Sequence, residues 1–293
     1  MTVGDLDLPH FSNYVISITT IPSRINKIQP VINSFINQRT KSSIEKFIYI
    51  NIPIKYDRFD ETITKNDIPF FLRNMKNVVI NFVDTDFGPA TKLLGLPRKD
   101  ISSDTIVLIT DDDTEKEKFW ADFLIENIKN RPNSVTSITS LHYNNYSTSL
   151  IFGGGGYGFY NRLNLNGLLQ FYEAHKSHCK YVDDDMFTYF LKYKNIQVNF
   201  AQPNMKMYIP EKAHFDNKLR DLGGEFNRKT LQTNCKLLFE QTLTNSHNQA
   251  GYRKWLIFAM VCLVVVALLL LAKKIKFFED LFPNNWKIKQ VEI

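Results

Sequence analysis

The chain has 293 residues and an ordinary globular composition, which argues against a disordered chain and suits one large α/β domain, or two small ones, with a sizeable core. Its formal net charge of +6 does not indicate nucleic-acid binding, because seven basic and three acidic residues lie from Gly251 onward and residues 1–250 carry only +2. The basic residues flank an apolar segment, as expected where a helix meets anionic lipid headgroups.

The first predicted elements follow an N-terminal stretch that has no basic n-region and no apolar h-region, so we do not expect a signal peptide. Short β-branched runs bounded by polar residues predict buried strands, and the amphipathic stretches between them predict helices. The predicted strands are 14–19, 46–51, 78–83, 105–110, 135–140 and 150–152, and the predicted helices are 29–37, 90–95, 114–130, 165–177 and 183–193. This alternation predicts a mainly parallel, doubly wound sheet whose ligands lie beyond the carboxyl ends of its strands.

Lys92 lies near the start of a predicted helix, directly after the turn predicted at Gly88-Pro89. A lysine is unfavourable near a helix N-terminus unless it meets a phosphate or a carboxylate. An ordinary solvated lysine is the alternative.

The first acidic cluster, Asp111–Asp113, directly follows the predicted strand 105–110. Asp111 and Asp113 occupy alternate positions and can project toward one point, where Mg²⁺ or Mn²⁺ would find the oxygen ligands that these cations prefer. Such a cation would neutralise a diphosphate leaving group. The alternative is that these residues only cap the helix that Thr114 and Glu117, spaced as a capping box, would begin.

The glycine run, residues 153–156, is either a flexible loop or a place where the backbone approaches a sugar closely, which would involve Gly155 and Gly156. A dinucleotide fingerprint is rejected because bulky residues follow where a closely packed helix would start. His175, His178 and Cys179 have metal-like spacing, but no fourth zinc ligand is evident.

The second acidic cluster, Asp183–Asp185, begins the last predicted helix. These acids either interact favourably with the positive N-terminal end of the helix dipole, or include a general base that takes a proton from a sugar hydroxyl. Asp183 is the expected N-cap, and Asp184 and Asp185 point about 100° apart, so only one of them can face the reacting carbon. Downstream, His214 could reach the metal or be an ordinary histidine.

Residues 255–272 form an uncharged apolar run of 18 residues bracketed by basic residues. As a helix it would reach roughly 27 Å, which predicts one transmembrane span rather than a buried core helix. The expected organisation is a catalytic domain over 1–240, a polar linker over 241–254, the span, and a basic tail over 273–293. Cys179 and Cys235 could pair, but three cysteines suggest no disulfide framework, and a reducing compartment is the simpler interpretation.

Five motifs now stand in a fixed order along the chain, and together they resemble GT-A glycosyltransferases, especially the small glycosyltransferase-like proteins of bacteria and large DNA viruses. The motifs are ITTIPSRI (18–25), DFGPATKLLG (86–95), ITDDD (109–113), GGGGYGFYN (153–161) and YVDDDMF (181–187). The resemblance implies a GT-A fold, Rossmann-like with a mainly parallel sheet flanked by helices, and a nucleotide-sugar donor.

The resemblance also implies roles for single residues. It makes Asp111 and Asp113 ligands of Mn²⁺ or Mg²⁺ and places Asp112 near the nucleotide ribose. Thr20 and Arg24 would contact the nucleotide, and Lys92 would face the nucleotide or its phosphates.

The second acidic cluster stands where inverting members of the family place the catalytic base, which implies Asp184 first and Asp185 second. One departure concerns the acid that many members carry after the second strand, where this chain has Asn51-Ile52-Pro53 and where Asp84 or Asp86 would have to substitute.

The sequence therefore predicts a metal-dependent hexosyltransferase-like enzyme with a glycan or other hydroxyl acceptor, attached to a membrane by its C-terminal helix with the domain facing the cytosol. A sugar-nucleotide nucleotidyltransferase is the alternative enzyme, although ITTIPSRI lacks the glycines of its phosphate loop. A non-catalytic membrane or virion protein on the same fold is the alternative of a different class.

Overall fold

The computed structural model describes residues 13–41, 44–138, 150–203 and 227–242, together with six helical positions between Met260 and Leu271. The chain divides into two compact units, Met1–Phe239 and Glu240–Ile293. All strands of the sheet belong to the first unit.

Within the described ranges, seven strands form one mixed sheet in the order β5-β2-β1-β6-β8-β7-β9. Strand β8 runs antiparallel to β6 and β7, and the other neighbouring pairs are parallel. The two short strands β3 and β4 pair separately as a hairpin. The bounds are β1 (Asn13–Thr19), β2 (Glu45–Pro53), β3 (Lys55–Tyr56), β4 (Glu61–Thr62), β5 (Val78–Val83), β6 (Ile106–Ile109), β7 (Val135–Ile138), β8 (Tyr157–Tyr160) and β9 (Val198–Ala201).

In the part of the chain up to residue 203 that the structure describes, six α-helices lie between the strands: α1 (Gln29–Ile36), α2 (Phe70–Arg73), α3 (Thr91–Leu94), α4 (Trp120–Asn130), α5 (Leu168–Cys179) and α6 (Asp183–Tyr193). Short 3₁₀ turns lie at Lys65–Asp67, Gly88–Ala90 and Arg98–Asp100. Residues 228–242 are also helical, and the part within the first unit, residues 228–239, is called the C-terminal helical segment. The predicted α/β class, with a mainly parallel sheet flanked by helices, is confirmed.

Helices cover both faces of the sheet. Side chains alternate between the two faces along each strand, so neighbouring residues of one strand contact different helices. On β8, Tyr157 points toward α6, where its ring centroid lies 5.4 Å from that of Phe187. Gly158 points the other way and makes room for α4, since a Cβ there would lie only 2.9 Å from Ile128 Cδ1. Between the layers, Leu108 of β6 is completely buried.

The hairpin strands β3 and β4 were not predicted, and the large sheet differs from the sequence prediction in two places. Residues 150–152 are not a strand. The strand in this region is β8, which begins directly after the glycine run 153–156. Strand β9 was not predicted, because its four residues carry too short an apolar pattern to stand out.

The predicted capping box is wrong. Helix α4 begins at Trp120 and not at Thr114, whose hydroxyl donates instead to Asp113 Oδ1 at 3.1 Å. The stretch between them packs across α1, where the Lys116 N–H donates to Ser34 Oγ at 3.0 Å. Contacts with α1 therefore occupy groups that a first helical turn would have used.

The predicted transmembrane segment, residues 255–272, lies outside the described residues except for six helical positions. Among the residues that the structure describes, no helix has the length and apolar character needed to cross a bilayer. Most of the predicted linker and the whole basic tail also lie outside the described residues. Membrane attachment by this segment therefore stays a prediction.

Cys179 and Cys235 form a disulfide that joins the end of α5 to the C-terminal helical segment. The sequence left this pairing open and favoured a reducing compartment. The pairing therefore differs from what the sequence favoured, since disulfides are rare where thiols are kept reduced. The compartment and the cytosolic orientation of the domain are not tested by the structure.

Candidate active site

The site lies where the strand order of the sheet reverses. Along the chain, β1, β2 and β5 are added one after another on one side of the sheet. The next strand of this sheet, β6, instead pairs with the other side of β1. Parallel pairing of β1 with β6 brings the loops after both strands to the same edge, with the Thr110 N–H donating to the Ser17 C=O at 3.2 Å. A crevice beyond the carboxyl ends at such a switch point is the usual ligand position in doubly wound sheets.

The loop after β1 and the first acidic cluster contact each other directly. Arg24 Nη1 donates to Asp112 Oδ1 at 2.7 Å and lies 3.7 Å from Asp113 Oδ2. Burial raises the pKa of the Asp112 carboxyl to about 6, although Arg24 and the nearby Thr20 hydroxyl oppose the rise. The structure therefore brings the predicted nucleotide residues Thr20, Arg24 and Asp112 together.

Lys92 is the centre of the site, and α3 buries it almost completely, leaving 2 % of its side chain exposed. The turn before α3 is fixed by Asp86, whose Oδ1 accepts from the Gly88 N–H at 2.7 Å. The Lys92 C=O accepts from the Ser17 hydroxyl at 2.6 Å, which ties α3 to β1. The ammonium group consequently has one direction to point, into the space between the two acidic clusters.

Lys92 Nζ bridges the two acidic clusters. It lies 2.6 Å from Asp111 Oδ1, 2.7 Å from Asp183 Oδ2 and 3.9 Å from Asp184 Oδ1. Burial alone would lower the pKa of Lys92, but the three carboxylates raise it well above its usual value. Burial would likewise raise the pKa of Asp111, and the Lys92 ammonium outweighs that effect and lowers it. Lys92 therefore stays charged, and the carboxylate alternative of the sequence analysis is the one observed.

Asp184 has one satisfied and one unsatisfied carboxylate oxygen. Oδ2 accepts from the Gly153 N–H at 2.8 Å, whereas Oδ1 is buried without a hydrogen-bond partner in the described part of the chain. Burial raises the pKa of Asp184 to about 8, and the neighbouring Asp183 carboxylate adds to the rise, against the opposing effect of Lys92. A buried carboxyl with such a pKa is a candidate acid or base.

Asp183 and Asp185 differ from Asp184 in what they contact. Val182, and not Asp183, is the N-cap of α6, so the Asp183 carboxylate is available to Lys92. Asp185 Oδ2 accepts from Gln232 Nε2 at 3.0 Å, on the side of the C-terminal helical segment. The divergence of Asp184 and Asp185 agrees with the angle expected between consecutive helical residues.

The glycine run meets the site at Gly153, which the sequence analysis did not single out. A Cβ on Gly153 would lie 2.8 Å from both Asp184 Oδ1 and Lys92 Nζ, and 3.1 Å from Asp111 Oδ1. The position of the glycine run between the two acidic clusters in the sequence could have indicated a contact with the site. Nothing in the run distinguishes one glycine from the next, so the sequence does not indicate which glycine makes the contact.

Gly155 and Gly156, the two glycines predicted to approach a sugar, are explained by packing. A Cβ on Gly155 would lie 3.0 Å from the Phe152 ring, and one on Gly156 would lie 2.6 Å from the Trp120 ring. Gly156 also has a φ of +94°, which favours glycine. A contact of either glycine with a sugar stays a prediction.

Other predicted residues lie apart from this cluster or outside the described residues. Asp86 accepts backbone N–H groups from Gly88 and from Asp57, so its carboxylate holds the loop together. His214 lies outside the described residues. The zinc alternative is not formed, because Cys179 is in the disulfide and His175 Nδ1 contacts the Phe171 C=O at 2.7 Å.

The carboxylates of the first acidic cluster differ in how far they are exposed. The side chains of Asp111 and Asp113 are 35 % and 22 % exposed, whereas Asp112 between them is 7 % exposed. No group of three or more His, Cys, Asp or Glu side chains within the described ranges is arranged to hold a metal ion. Mg²⁺ is commonly held by one or two carboxylates together with substrate phosphates and water, and this donor set matches that pattern.

No family model matches the chain, and no curated protein sequence matches it. Among solved structures, it is similar to the 2-C-methyl-D-erythritol 4-phosphate cytidylyltransferase of Francisella tularensis, with a TM-score of 0.43 and 13 % identity over 68 % of this chain and 93 % of that one. It is also similar to S. aureus TarS 1-349, with a TM-score of 0.44 and 16 % identity over 66 % of this chain and 59 % of that one.

The structure of TarS 1-349 in complex with UDP gives a TM-score of 0.43 and 14 % identity, over 66 % of this chain and 61 % of that one. The chain thus spans less than two thirds of the TarS chains. Similarity at this level does not assign a function, because one fold hosts many functions and a function has to be argued from its site.

Proposed function

We propose that this chain is a GT-A-type glycosyltransferase that transfers a sugar from a nucleotide-diphosphate-sugar to an acceptor hydroxyl, with inversion at the anomeric carbon and with Mn²⁺ or Mg²⁺ as cofactor. The observation that carries the proposal is the meeting of two acidic clusters across Lys92 at the β1–β6 switch point. One cluster is open enough to bind a cation, and the other contains a carboxyl suited to accept a proton.

On the donor side, Thr20, Arg24 and Asp112 form the wall against which the nucleoside would lie. Asp111 and Asp113 would hold the cation, which supplies charge neutralisation to the departing diphosphate. The Asp111 and Asp113 carboxylates are more exposed than that of Asp112. A carboxylate that binds a cation together with a substrate has to be exposed in this way.

On the acceptor side, Asp184 would act as the general base. The acceptor oxygen forms its bond to the anomeric carbon while its proton passes to Asp184 Oδ1, the oxygen without a hydrogen-bond partner in the described residues. The bond from that carbon to the diphosphate oxygen breaks, and its electron pair leaves with the nucleoside diphosphate. Base and leaving group then lie on opposite sides of the carbon, which gives inversion.

Lys92 would serve both halves of the site. Without its ammonium, the carboxylates of Asp111, Asp183 and Asp184 would repel one another in a buried space, at a cost of several kcal/mol. Its charge would also stabilise negative charge that develops on the leaving phosphate.

The proposal is tested by turnover of a panel of nucleotide sugars by the purified chain, with Mn²⁺ and with EDTA, followed by NMR of the product's anomeric configuration. We expect metal-dependent turnover with inversion. Asp111→Asn and Asp113→Asn should abolish turnover while leaving the circular dichroism spectrum unchanged. Near-normal turnover of both variants in EDTA would rule out the metal role, and a retained configuration would rule out the inverting mechanism.

A further inference from the structure

One face of the C-terminal helical segment is attached to α5 and α6 at three successive points. Gln232 Nε2 donates to Asp185 Oδ2 at 3.0 Å, Cys235 is bonded to Cys179, and the Phe239 ring stacks on Tyr189 with centroids 4.6 Å apart. Positions 232, 235 and 239 are spaced by three and four residues, so they form one stripe along the helix.

Arg228 continues this stripe by one more turn, because it lies four residues before Gln232. Gln232 already contacts the first turn of α6, which carries the second acidic cluster. The stripe therefore directs Arg228 past that turn and toward the space between the two acidic clusters.

The charges around Arg228 agree with this direction. Burial of part of the side chain would lower its pKa, but the carboxylates of Asp184, Asp185, Asp111 and Asp183 together raise it. Those four residues come from both acidic clusters. The Arg228 side chain forms no hydrogen bond or direct ion pair with a described residue, and more than a third of the residue is exposed. The guanidinium thus lies within electrostatic reach of both acidic clusters, and its donor groups make no hydrogen bond to a described residue.

We propose that Arg228 is a further binding residue of this site, and that it contacts the diphosphate of the bound nucleotide while the Cys179–Cys235 disulfide holds it in position. This inference rests on the proposed function, since it assigns the anionic group that the arginine meets. A guanidinium matches a phosphate because its planar fork donates two parallel hydrogen bonds. The two acidic clusters explain why the arginine is needed, because an approaching diphosphate would otherwise be repelled by them.

The test uses the full chain purified in detergent and compares the affinity of UDP, GDP, CDP and ADP with that of the corresponding nucleosides. For the diphosphate that the wild type binds best, Arg228→Gln should weaken binding about tenfold or more, the usual effect of losing one charge-assisted contact. Nucleoside affinity should not change. Lys229→Gln is the matched control, because it removes the same charge from the neighbouring exposed position and should leave both affinities unchanged.

A second arm tests the disulfide. Cys235→Ser should weaken diphosphate binding to a similar extent as Arg228→Gln, and the double variant should show little additional loss, because both changes remove the same contact. Wild-type diphosphate affinity in Arg228→Gln, or an equal loss of diphosphate and nucleoside binding, would overturn the role of Arg228. Wild-type affinity in Cys235→Ser would overturn the anchoring role of the disulfide. If the wild type binds none of the four diphosphates, the proposed function itself fails, and this inference fails with it.

Discussion

Among the single residues of the site, Asp184 has the surroundings of a base that works near neutral pH. Its carboxylate is buried and faces Asp183, Asp111 and Lys92, with Arg228 acting on it from the C-terminal helical segment. One of its oxygens is held by the Gly153 N–H, which fixes the orientation of the other. Buried polar atoms without partners are rare in folded proteins, and where they occur they call for a functional explanation.

We predict that Asp184→Asn lowers kcat by about 10²- to 10⁴-fold, the usual contribution of a positioned base, with donor affinity little changed. A base with a pKa of about 8 is active only when deprotonated, so kcat/KM of the wild type should rise with pH and level off above about pH 8. Asp185→Asn should keep this pH profile. If Asp185→Asn loses turnover and Asp184→Asn does not, the base has been assigned to the wrong residue.

Asp184→Asn, which should lower turnover, should not lower the stability of the fold. A pKa raised from 3.8 to about 8 means that the folded protein keeps a proton that the unfolded chain has released. The contribution of Asp184 to the free energy of unfolding therefore falls as the pH rises from about 4 through 8. Asp184→Asn removes this dependence and keeps an oxygen for the Gly153 N–H. Its melting temperature should equal or exceed that of the wild type at pH 8, and a clear decrease would contradict the assigned ionisation.

Gly153→Ala tests whether the glycine run is needed at the site itself. The added Cβ would lie 2.8 Å from Asp184 Oδ1 and from Lys92 Nζ, too close for either group to stay in place. We expect at least a hundredfold loss of turnover, since a small displacement of reacting groups is costly. Gly154→Ala is the control, because its Cβ would meet only the movable Phe152 ring and should cost much less. Equal losses in the two variants would indicate a general effect on the loop.

The residues of the site were accessible from sequence to different degrees. Asp111–Asp113 stood out because acids directly after an apolar strand have few structural explanations. Arg228 and Gln232 did not, because they lie 35 and 39 residues beyond the end of α6, in a helix that no chemical motif marks. Their role depends on tertiary packing against α6, which local sequence pattern does not encode.

At the scale of elements, the sequence predicted some bounds correctly and missed others. The bounds of β5 and α6 match the predicted ranges 78–83 and 183–193. It failed where long-range contacts override local signals, as at Thr114, where packing against α1 displaces the start of α4 by six residues. Strand β8 was missed because glycines interrupt its alternation, although Gly158 is required for close packing against α4.

The disulfide is the element-level contact with the clearest effect on stability. It joins residues separated by 56 positions, and closing a loop of that size stabilises a folded chain by about 4 kcal/mol, mainly by restricting the unfolded state. Cys235→Ser should therefore lower the free energy of unfolding by about this amount in urea titrations. Cys262→Ser, which changes a cysteine outside the described residues, is the control and should have little effect. Unchanged stability in Cys235→Ser would mean that the bond does not form in solution.

For the whole molecule, the order of the sheet explains why distant motifs converge. Residues near positions 20, 92, 111 and 184 meet because β1 and β6 are adjacent and their loops open at one edge. The sequence predicted the class of sheet and the edge at which the two acidic clusters meet, since alternating elements imply a parallel sheet with its functional loops at the carboxyl ends of the strands. It could not predict the antiparallel insertion of β8 or the covalent link to the C-terminal helical segment, which depend on pairings between remote parts of the chain.

We also predict that the chain is attached to a membrane by residues 255–272. The uncharged run and its basic flanks are the basis of this prediction. The full chain should fractionate with membranes and require detergent for release, whereas a chain lacking residues 255–293 should be soluble and active. A misfolded truncation would instead indicate that the apolar segment belongs to a protein core.

The most direct test of the central claim is the identity of the nucleotide product. The full chain with Mn²⁺ should be incubated in parallel with nucleotide sugars plus an acceptor, and with nucleoside triphosphates plus sugar 1-phosphates, and the products separated by chromatography. Glycosyl transfer at the β1–β6 switch point predicts that the wild type releases a nucleoside diphosphate from the first mixture. The Asp111→Asn variant should release none. Pyrophosphate from the second mixture, with no nucleoside diphosphate from the first, would contradict it and identify a nucleotidyltransferase.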